Sequence, residues 1–251
     1  MLDIHDHNDI RTITLARPPV NALDPGLVRA LREALAAVPG VGARGIVLAG
    51  RPGLFSAGLD LPVLLSLERA QFRVFWRDFF GLCSDLATSP VPIAAALTGH
   101  SPAGGAVLAI LCDYRVMARG DFRIGLNETQ VGLVVPEVIQ AALRRLVGTH
   151  RAERLMVAGT MLDPDAALAE GFVDELAEPD AVVARAIERV ARLLALPPRA
   201  MSGTRELARA DLVALYAEPG RLPMEDFLDH WYHPETQSTL RAVVAKLKSK
   251  R

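Results

Sequence analysis

The sequence predicts an α/β core followed by a helical appendage. Three observations carry this expectation. Short apolar or β-branched runs alternate with segments of helical period up to residue 176. Proline and glycine punctuate the junctions between them. Beyond Pro197-Pro198 no strand-like run returns, so residues 1–196 read as core and 197–251 as a C-terminal helical region.

The elements follow in order. Residues 11–15 (RTITL) form a strand rich in β-branched side chains. Asp24 caps a helix that starts at Pro25, carries Leu27, Leu31, Leu35 and Val38 at helical spacing, and stops at Pro39-Gly40. Residues 45–49 (GIVLA) are apolar throughout, as a strand covered on both faces must be. Residues 68–86 form an amphipathic helix ended by Ser89-Pro90 and Pro92. Then come a buried strand at 93–98, a short buried helix at 106–111 and a strand at 114–118. Helices are expected at 136–147, 150–158, 164–169 and 179–194, with one last strand-like run at 172–176.

Composition excludes several functions. The chain is 51% hydrophobic and 23% charged, which suits a packed globule and not a disordered chain. Lys and Arg number 28 against 29 Asp and Glu, so no electrostatic case exists for a nucleic-acid or anionic-membrane partner. Cys83 and Cys112 alone build neither a disulfide framework nor a four-cysteine metal site. Mean hydropathy is +0.23, yet charged residues break every apolar run short of a membrane span. The acidic, polar start Met1-Leu2-Asp3-Ile4-His5-Asp6-His7 resembles neither a secretory signal nor a transit peptide, and the chain does not end in Ser-Lys-Leu; a cytoplasmic protein is expected.

Three segments can carry chemistry. Leu54-Phe55-Ser56-Ala57-Gly58-Leu59-Asp60-Leu61 follows the strand at 45–49, and its small residues let backbone approach a ligand. By itself it reads equally well as an ordinary strand-to-helix loop. Gly99-His100-Ser101-Pro102-Ala103-Gly104-Gly105-Ala106 also leads from a buried strand into a helix, whose free N–H groups suit an anion. One N–H from each loop can hold an oxyanion, although a lone Gly-Gly also serves tight packing. Ile124-Gly125-Leu126-Asn127-Glu128-Thr129-Gln130-Val131-Gly132-Leu133 places one carboxylate, Glu128, in an apolar stretch. Burial there would raise its pKa toward that of a general base, whereas a solvent-facing Glu on a loop would have no such role.

Together these segments resemble the crotonase family, the enoyl-CoA hydratase/isomerase superfamily. The resemblance starts at Arg17-Pro18-Pro19-Val20-Asn21-Ala22-Leu23 and runs through FSAGLDL, SPAGGA, CDYRVMA and GLNETQVGL to the tail. The pairing of FSAGLDL, PAGG and GLNETQ is most similar to the mitochondrial Δ3,Δ2-enoyl-CoA isomerase subgroup. The resemblance implies a spiral of ββα units, a helical C-terminal part that mediates trimers or dimers of trimers, and an acyl-CoA thioester substrate. It implies oxyanion donors at the Leu59 and Gly104 N–H groups and a catalytic carboxylate at Glu128. Ala57, Gly58, Leu59, Asp60, Leu61, Gly104 and Asn127 would line the substrate. No metal or redox cofactor is implied, since CoA belongs to the substrate.

Hydratases of the family carry a second glutamate three residues after the oxyanion glycine, and this chain has Val107 there. Hydration needs two carboxylates, whereas moving a double bond needs one, so the residues favour isomerisation. Hydration, thioester hydrolysis or non-catalytic acyl-CoA binding are the alternatives. Other residues have plainer readings. His100 is read as a loop or pocket wall, Asp60 as a hydrogen-bonding shaper of its loop, and Ser56 lacks a His/Asp partner for a hydrolase triad. Cys112 is an inert buried thiol. His230 and His233 have metal-like spacing but no completing ligands. Trp231, Tyr232 and Phe227 pack, or wall an acyl pocket. Lys246, Lys248, Lys250 and Arg251 form a solvated basic end or meet CoA phosphates. Leu207, Leu212, Leu215, Phe227, Leu228, Trp231, Leu240 and Val244 exceed what a small appendage hides, so an interface that closes the site across subunits is expected.

Overall fold

A computed structural model of the chain describes residues 1–217 and 224–249; of Lys248 it describes the backbone alone. Lys250, Arg251 and the Lys248 side chain, expected to form part of the basic end, therefore lie outside the described residues.

A six-stranded sheet runs in the order β1-β2-β3-β5-β7-β9. Its strands are β1 (Leu2–His7), β2 (Ile10–Leu15), β3 (Gly45–Ala49), β5 (Ile93–Leu97), β7 (Tyr114–Ala118) and β9 (Glu175–Ala177). All neighbours are parallel except β1 and β2, which form an antiparallel hairpin. The period-2 alternation divides each central strand between two cores. Ile46 and Leu48 of β3, with Ile93, Ala95 and Leu97 of β5, face the large core. Val47, Ala49, Ala94 and Ala96 face α8 (Val182–Leu194), which contributes Val182, Ala186 and Val190. That two-sided cover is why these strands read as unbroken apolar runs.

The helices α1 (Pro25–Ala36) and α3 (Arg69–Ala87) pack together on the large-core side. Asp24 caps α1 by accepting from the Leu27 N–H at 2.8 Å, as expected. Glu68 and Gln71 form a capping box at the start of α3. The expected helices at 136–147, 150–158 and 164–169 appear as α5 (Glu137–Val147), α6 (Thr149–Ala158) and α7 (Pro164–Ala169).

Two expectations shift. The last strand is Glu175–Ala177, because Phe172 and Val173 turn inward instead and bond to the Ala167 carbonyl. The hairpin strand β1 was not foreseen: it is an edge, exposed on both faces from Asp3 to His7, and Asp3, His5, Asp6 and His7 hide its pattern. A second sheet also escaped the sequence. It joins β4 (Gly53–Leu54), β6 (Gly99–Pro102) and β8 (Ile124–Gly125), all in parallel. Strands this short show no periodicity. Gly99 is needed at their contact, since a Cβ there would fall 1.9 Å from the Gly53 carbonyl carbon. Each large-sheet strand of the centre thus continues into a small-sheet strand and then a helical turn, a spiral of ββα units.

The tail comprises α9 (Pro198–Ala208), α10 (Ala210–Ala217), α11 (Met224–Tyr232) and α12 (Pro234–Lys248). Arg209, almost wholly buried, donates to the Ala87 and Leu111 carbonyls at 3.2 and 2.8 Å and to Asp113 at 3.1 Å. Arg205 forks onto the same Asp113 at 2.8 and 2.9 Å. A cation over the last carbonyls of α3 and near Leu111 matches the negative ends of those helices. Farther on, Trp231 stacks on Phe72 at 4.2 Å and Phe227 on Trp76 at 3.9 Å.

The expected surplus of wet apolar surface in the tail is mostly absent. Leu212, Leu228, Trp231 and Leu240 are buried within the chain's own large core, because α10, α11 and α12 fold back over α2 (Leu61–Leu64), α3 and α5. Leu207, 81% exposed, is the exception from that set. Trp231→Ala should cost roughly 3–5 kcal/mol of stability, read by urea denaturation, since the indole is fully buried. Among the described residues no helix is long and apolar enough to cross a membrane.

Candidate functional site

The small sheet brings the three sequence segments together. Loop residues 55–60 zip against residues 20–23: Ala57 N–H bonds the Val20 carbonyl at 3.0 Å and Leu23 N–H the Gly58 carbonyl at 2.8 Å. Asn21, at φ +48°, donates to the Phe55 carbonyl, and Ser56 Oγ donates to the Asn21 carbonyl at 2.8 Å while accepting from Gly58 N–H. Ser56 is therefore fully occupied in shaping the loop. The Asp60 N–H bonds the Leu23 carbonyl at 3.0 Å. Gly58 and Asp60 thus both pair with Leu23, and the pleat turns the Leu59 N–H between them away from that segment. Asp60 also caps α2 and pairs with Arg17 at 2.8 Å, the hydrogen-bonding role expected of it.

The second loop enters α4 (Gly104–Ile110) through Ala103, which sits at φ +45° and ψ −116°. A positive φ at alanine is costly, and such strain is held only by strong surroundings. The Ala103 N–H is fixed by the Gly125 carbonyl at 2.8 Å. The N–H groups of Gly104, Gly105 and Ala106 are the orphan donors of a helix start, and Ala103 has no side chain to cap them. The two loops touch directly: a Cβ on Gly58 would lie 3.2 Å from Gly104 N. Gly58 has φ +80° and permits that approach.

Glu128 follows Gly125 by three residues, so its Cα lies within about 10 Å of the strand that anchors Ala103. It opens a 3-10 turn, Glu128–Val131, with Asn127 just before. Glu128 is 9% exposed, and its Oε2 has no hydrogen-bond partner among the described residues; nor has the buried Asn127 Oδ1. Burial pushes the Glu128 carboxyl up to about 7, opposed only by its own backbone N–H. Desolvation is thus the main lever, as expected where no second carboxylate adjoins. Val107 is buried in α4.

The sequence matches the family model described as enoyl-CoA hydratase/isomerase over residues 5–233. It is 31% identical over 245 residues to enoyl-CoA delta isomerase 1, mitochondrial, of Mus musculus, covering 96% of this chain and 85% of that protein. The chain belongs to the enoyl-CoA hydratase/isomerase family. It is 32% identical over 213 residues to a probable enoyl-CoA hydratase of Mycobacterium avium, covering 80% of this chain and 81% of that one. The crystal structure of human mitochondrial delta3-delta2-enoyl-CoA isomerase superposes with a TM-score of 0.95 at 28% identity, over 100% of this chain and 99% of that one. The protein is accordingly a crotonase-fold acyl-CoA enzyme of the hydratase/isomerase family.

Within this family frame the other candidates take their places. His100 is exposed, accepts from the Arg123 N–H at 3.2 Å and meets Phe122 edge-on, a loop-wall position. Burial raises the Cys112 thiol to about 12, so it stays protonated. Among the described residues no three His, Cys, Asp or Glu side chains cluster as a metal site. Leu61 begins α2 beside the first loop. Sequence reasoning missed Arg17, which ties Asp24 to Asp60 across the loop base; its place in the quoted RPPVNAL stretch was the available signal. Helix α12 packs on the Glu128 turn and on α2 of its own chain.

Proposed function

We propose that the chain is a Δ3,Δ2-enoyl-CoA isomerase. The observation that carries this reading is Glu128, the one buried carboxylate among the described residues, with apolar Val107 where a hydratase needs its second acid. The thioester carbonyl oxygen binds between the Leu59 and Gly104 N–H groups. Glu128 takes the C2 proton of a 3-enoyl-CoA, and the electron pair moves into an enolate held by those two donors. The same carboxyl then returns the proton to C4, leaving the 2-enoyl-CoA. Ala57, Gly58, Asp60, Leu61 and Asn127 line the acyl-CoA path around these groups. No cofactor beyond the substrate's own CoA enters the scheme.

Purified protein given 3-enoyl-CoA should produce conjugated 2-enoyl-CoA, seen by thioester absorbance. Consumption of 2-enoyl-CoA with water uptake, and no double-bond migration, would make it a hydratase instead, the activity in the name of the Mycobacterium avium relative. Because the base must be ionised, kcat/KM should rise through about pH 7 and level off above it. A profile flat from pH 5 to 9 would remove Glu128 as the base.

We also propose a trimer or dimer of trimers. Leu196 and Leu207 are exposed at 48% and 81%, and an apolar hollow of about 790 Å³ opens between α8 and α9 around Leu193, Leu196 and Met201. Sedimentation equilibrium should give three or six times 27.1 kDa; an active 27.1 kDa monomer at micromolar concentration would overturn the assembly.

A further inference from the structure

The turn that carries Glu128 is held from two sides. On one side Thr129 Oγ1 donates to the Met156 carbonyl at 3.2 Å and Gln130 Nε2 to the Gly159 carbonyl at 2.8 Å, which moors the turn to the end of α6. On the other side the mooring is the tail. The Gly132 carbonyl accepts from Thr236 Oγ1 at 3.2 Å and lies 3.1 Å from His230 Nε2. A carbonyl can only accept, so His230 carries its proton on Nε2. Thr239 closes the same spot: a Cβ on Gly132 would meet its side chain at 3.3 Å. Three residues of α11 and α12 thus converge on one residue of the turn.

That residue is coupled to the base through the backbone. The Leu133 N–H bonds the Glu128 carbonyl at 2.9 Å, and the Gly132 N–H closes the 3-10 turn on Glu128 and Thr129. The tail segment is itself well packed. Trp231 and Leu228 are fully buried, and Gln237 Nε2 donates to the Trp231 carbonyl at 2.9 Å, joining the two helices. Thr236 is 2% exposed. A buried hydroxyl and an imidazole sharing one carbonyl form a specific clasp, not a slack surface contact.

We infer that His230 and Thr236 are positioning residues: their shared clasp on the Gly132 carbonyl sets the Glu128 turn, so the base is in register only when the C-terminal helices are seated. This rests on the isomerase reading for its kinetic consequence. Neither residue touches the reacting atoms. Releasing the clasp lets the turn drift and lets water reach Glu128, and a drift of even 1 Å in a reacting group can cost up to ~10²-fold in rate. Loss of burial also returns the carboxyl toward its ordinary value of 4.5.

The test uses the full chain with Thr236→Val and His230→Phe, singly and together, beside Thr236→Ser. The double variant should lose about tenfold or more in kcat with KM for 3-enoyl-CoA changed far less. The acidic limb of its kcat/KM profile should move below pH 7. Thr236→Ser keeps the donor and should restore both. Infrared difference spectra give a readout free of turnover: the protonated-carboxyl band assigned to Glu128 by its absence in Glu128→Gln should titrate at lower pH in the double variant. That band tests the clasp even if the isomerase reading fails, which a parent protein that leaves the double bond of 3-enoyl-CoA in place would reveal. A folded double variant, by circular dichroism, with unchanged kcat and an unmoved Glu128 band would overturn the inference. If the double variant does not fold, Thr236→Val alone decides by the same two measurements.

Discussion

Glu128→Gln is expected to lower kcat for double-bond migration by roughly 10²–10⁴-fold, with acyl-CoA affinity nearly unchanged. Glutamine keeps the shape of the side chain and leaves the Leu59 and Gly104 donors in place, but cannot carry a proton from C2 to C4. Stopped-flow absorbance for turnover and calorimetry for binding separate the two effects. A variant that keeps most of its kcat would take Glu128 out of the mechanism. The same substitution has a stability signature of definite sign. The folded-state pKa is raised from 4.5 to about 7, so between those values the native state binds more protons than the unfolded chain. Stability contributed by this group therefore falls as pH rises through that window and stays low above it. At pH 8 Glu128→Gln should be more stable than the parent by up to about 3 kcal/mol, and at pH 4 the difference should vanish. Equal urea midpoints at pH 8 would mean the carboxylate is solvated in the native state. Sites that sacrifice stability in this way are where function concentrates.

Gly58→Ala is the second large effect. The new Cβ would lie 3.0 Å from the Pro102 carbonyl oxygen, 3.2 Å from the Ala103 Cβ and 3.2 Å from Gly104 N. None of these can give way cheaply, since two are backbone and Ala103 is held at φ +45° by Gly125. The methyl group pries the two loops apart at the point where both donors must face one oxygen. Loss of one such donor lowers kcat on the order of 10²–10³-fold. The φ of +80° adds strain of roughly 1–2 kcal/mol. Infrared spectra of a bound saturated acyl-CoA provide the check that is independent of rate. The thioester carbonyl should be less polarised in the variant, and a parent-like carbonyl frequency with parent-like kcat would show that the loops do not act as a pair.

The legibility of the site differed from that of the fold. Strand β3 is legible to the residue because burial on both faces leaves no polar position to blur its limits, and β7 matches its expected limits although it carries the buried Arg115. Helix α1 announces itself through Asp24-Pro25, a local signal that needs no partner. The candidate residues were legible as motifs, because close backbone approach demands Gly58 and Gly104 whatever surrounds them.

The alternation of elements, the family resemblance and the identity of the one carboxylate in an apolar stretch can all be read from the residues alone. These are local properties of composition and spacing. The rest follows from how the folded chain packs. The pairing of Gly53 with Gly99 and Ser101 with Ile124 is made by strands too short to have a period, yet it is what gathers the three segments. The Glu128 turn is also met by a tail about a hundred residues distant that folds back within the same chain, where His230 and Thr236 reach the Gly132 carbonyl. No spacing in the sequence encodes that contact, because hydrogen bonds between remote segments depend on where packing places them. Leu228, Trp231 and Leu240 look like an interface in sequence and become core for the same reason: hydrophobic burial is indifferent to which surface supplies the cover.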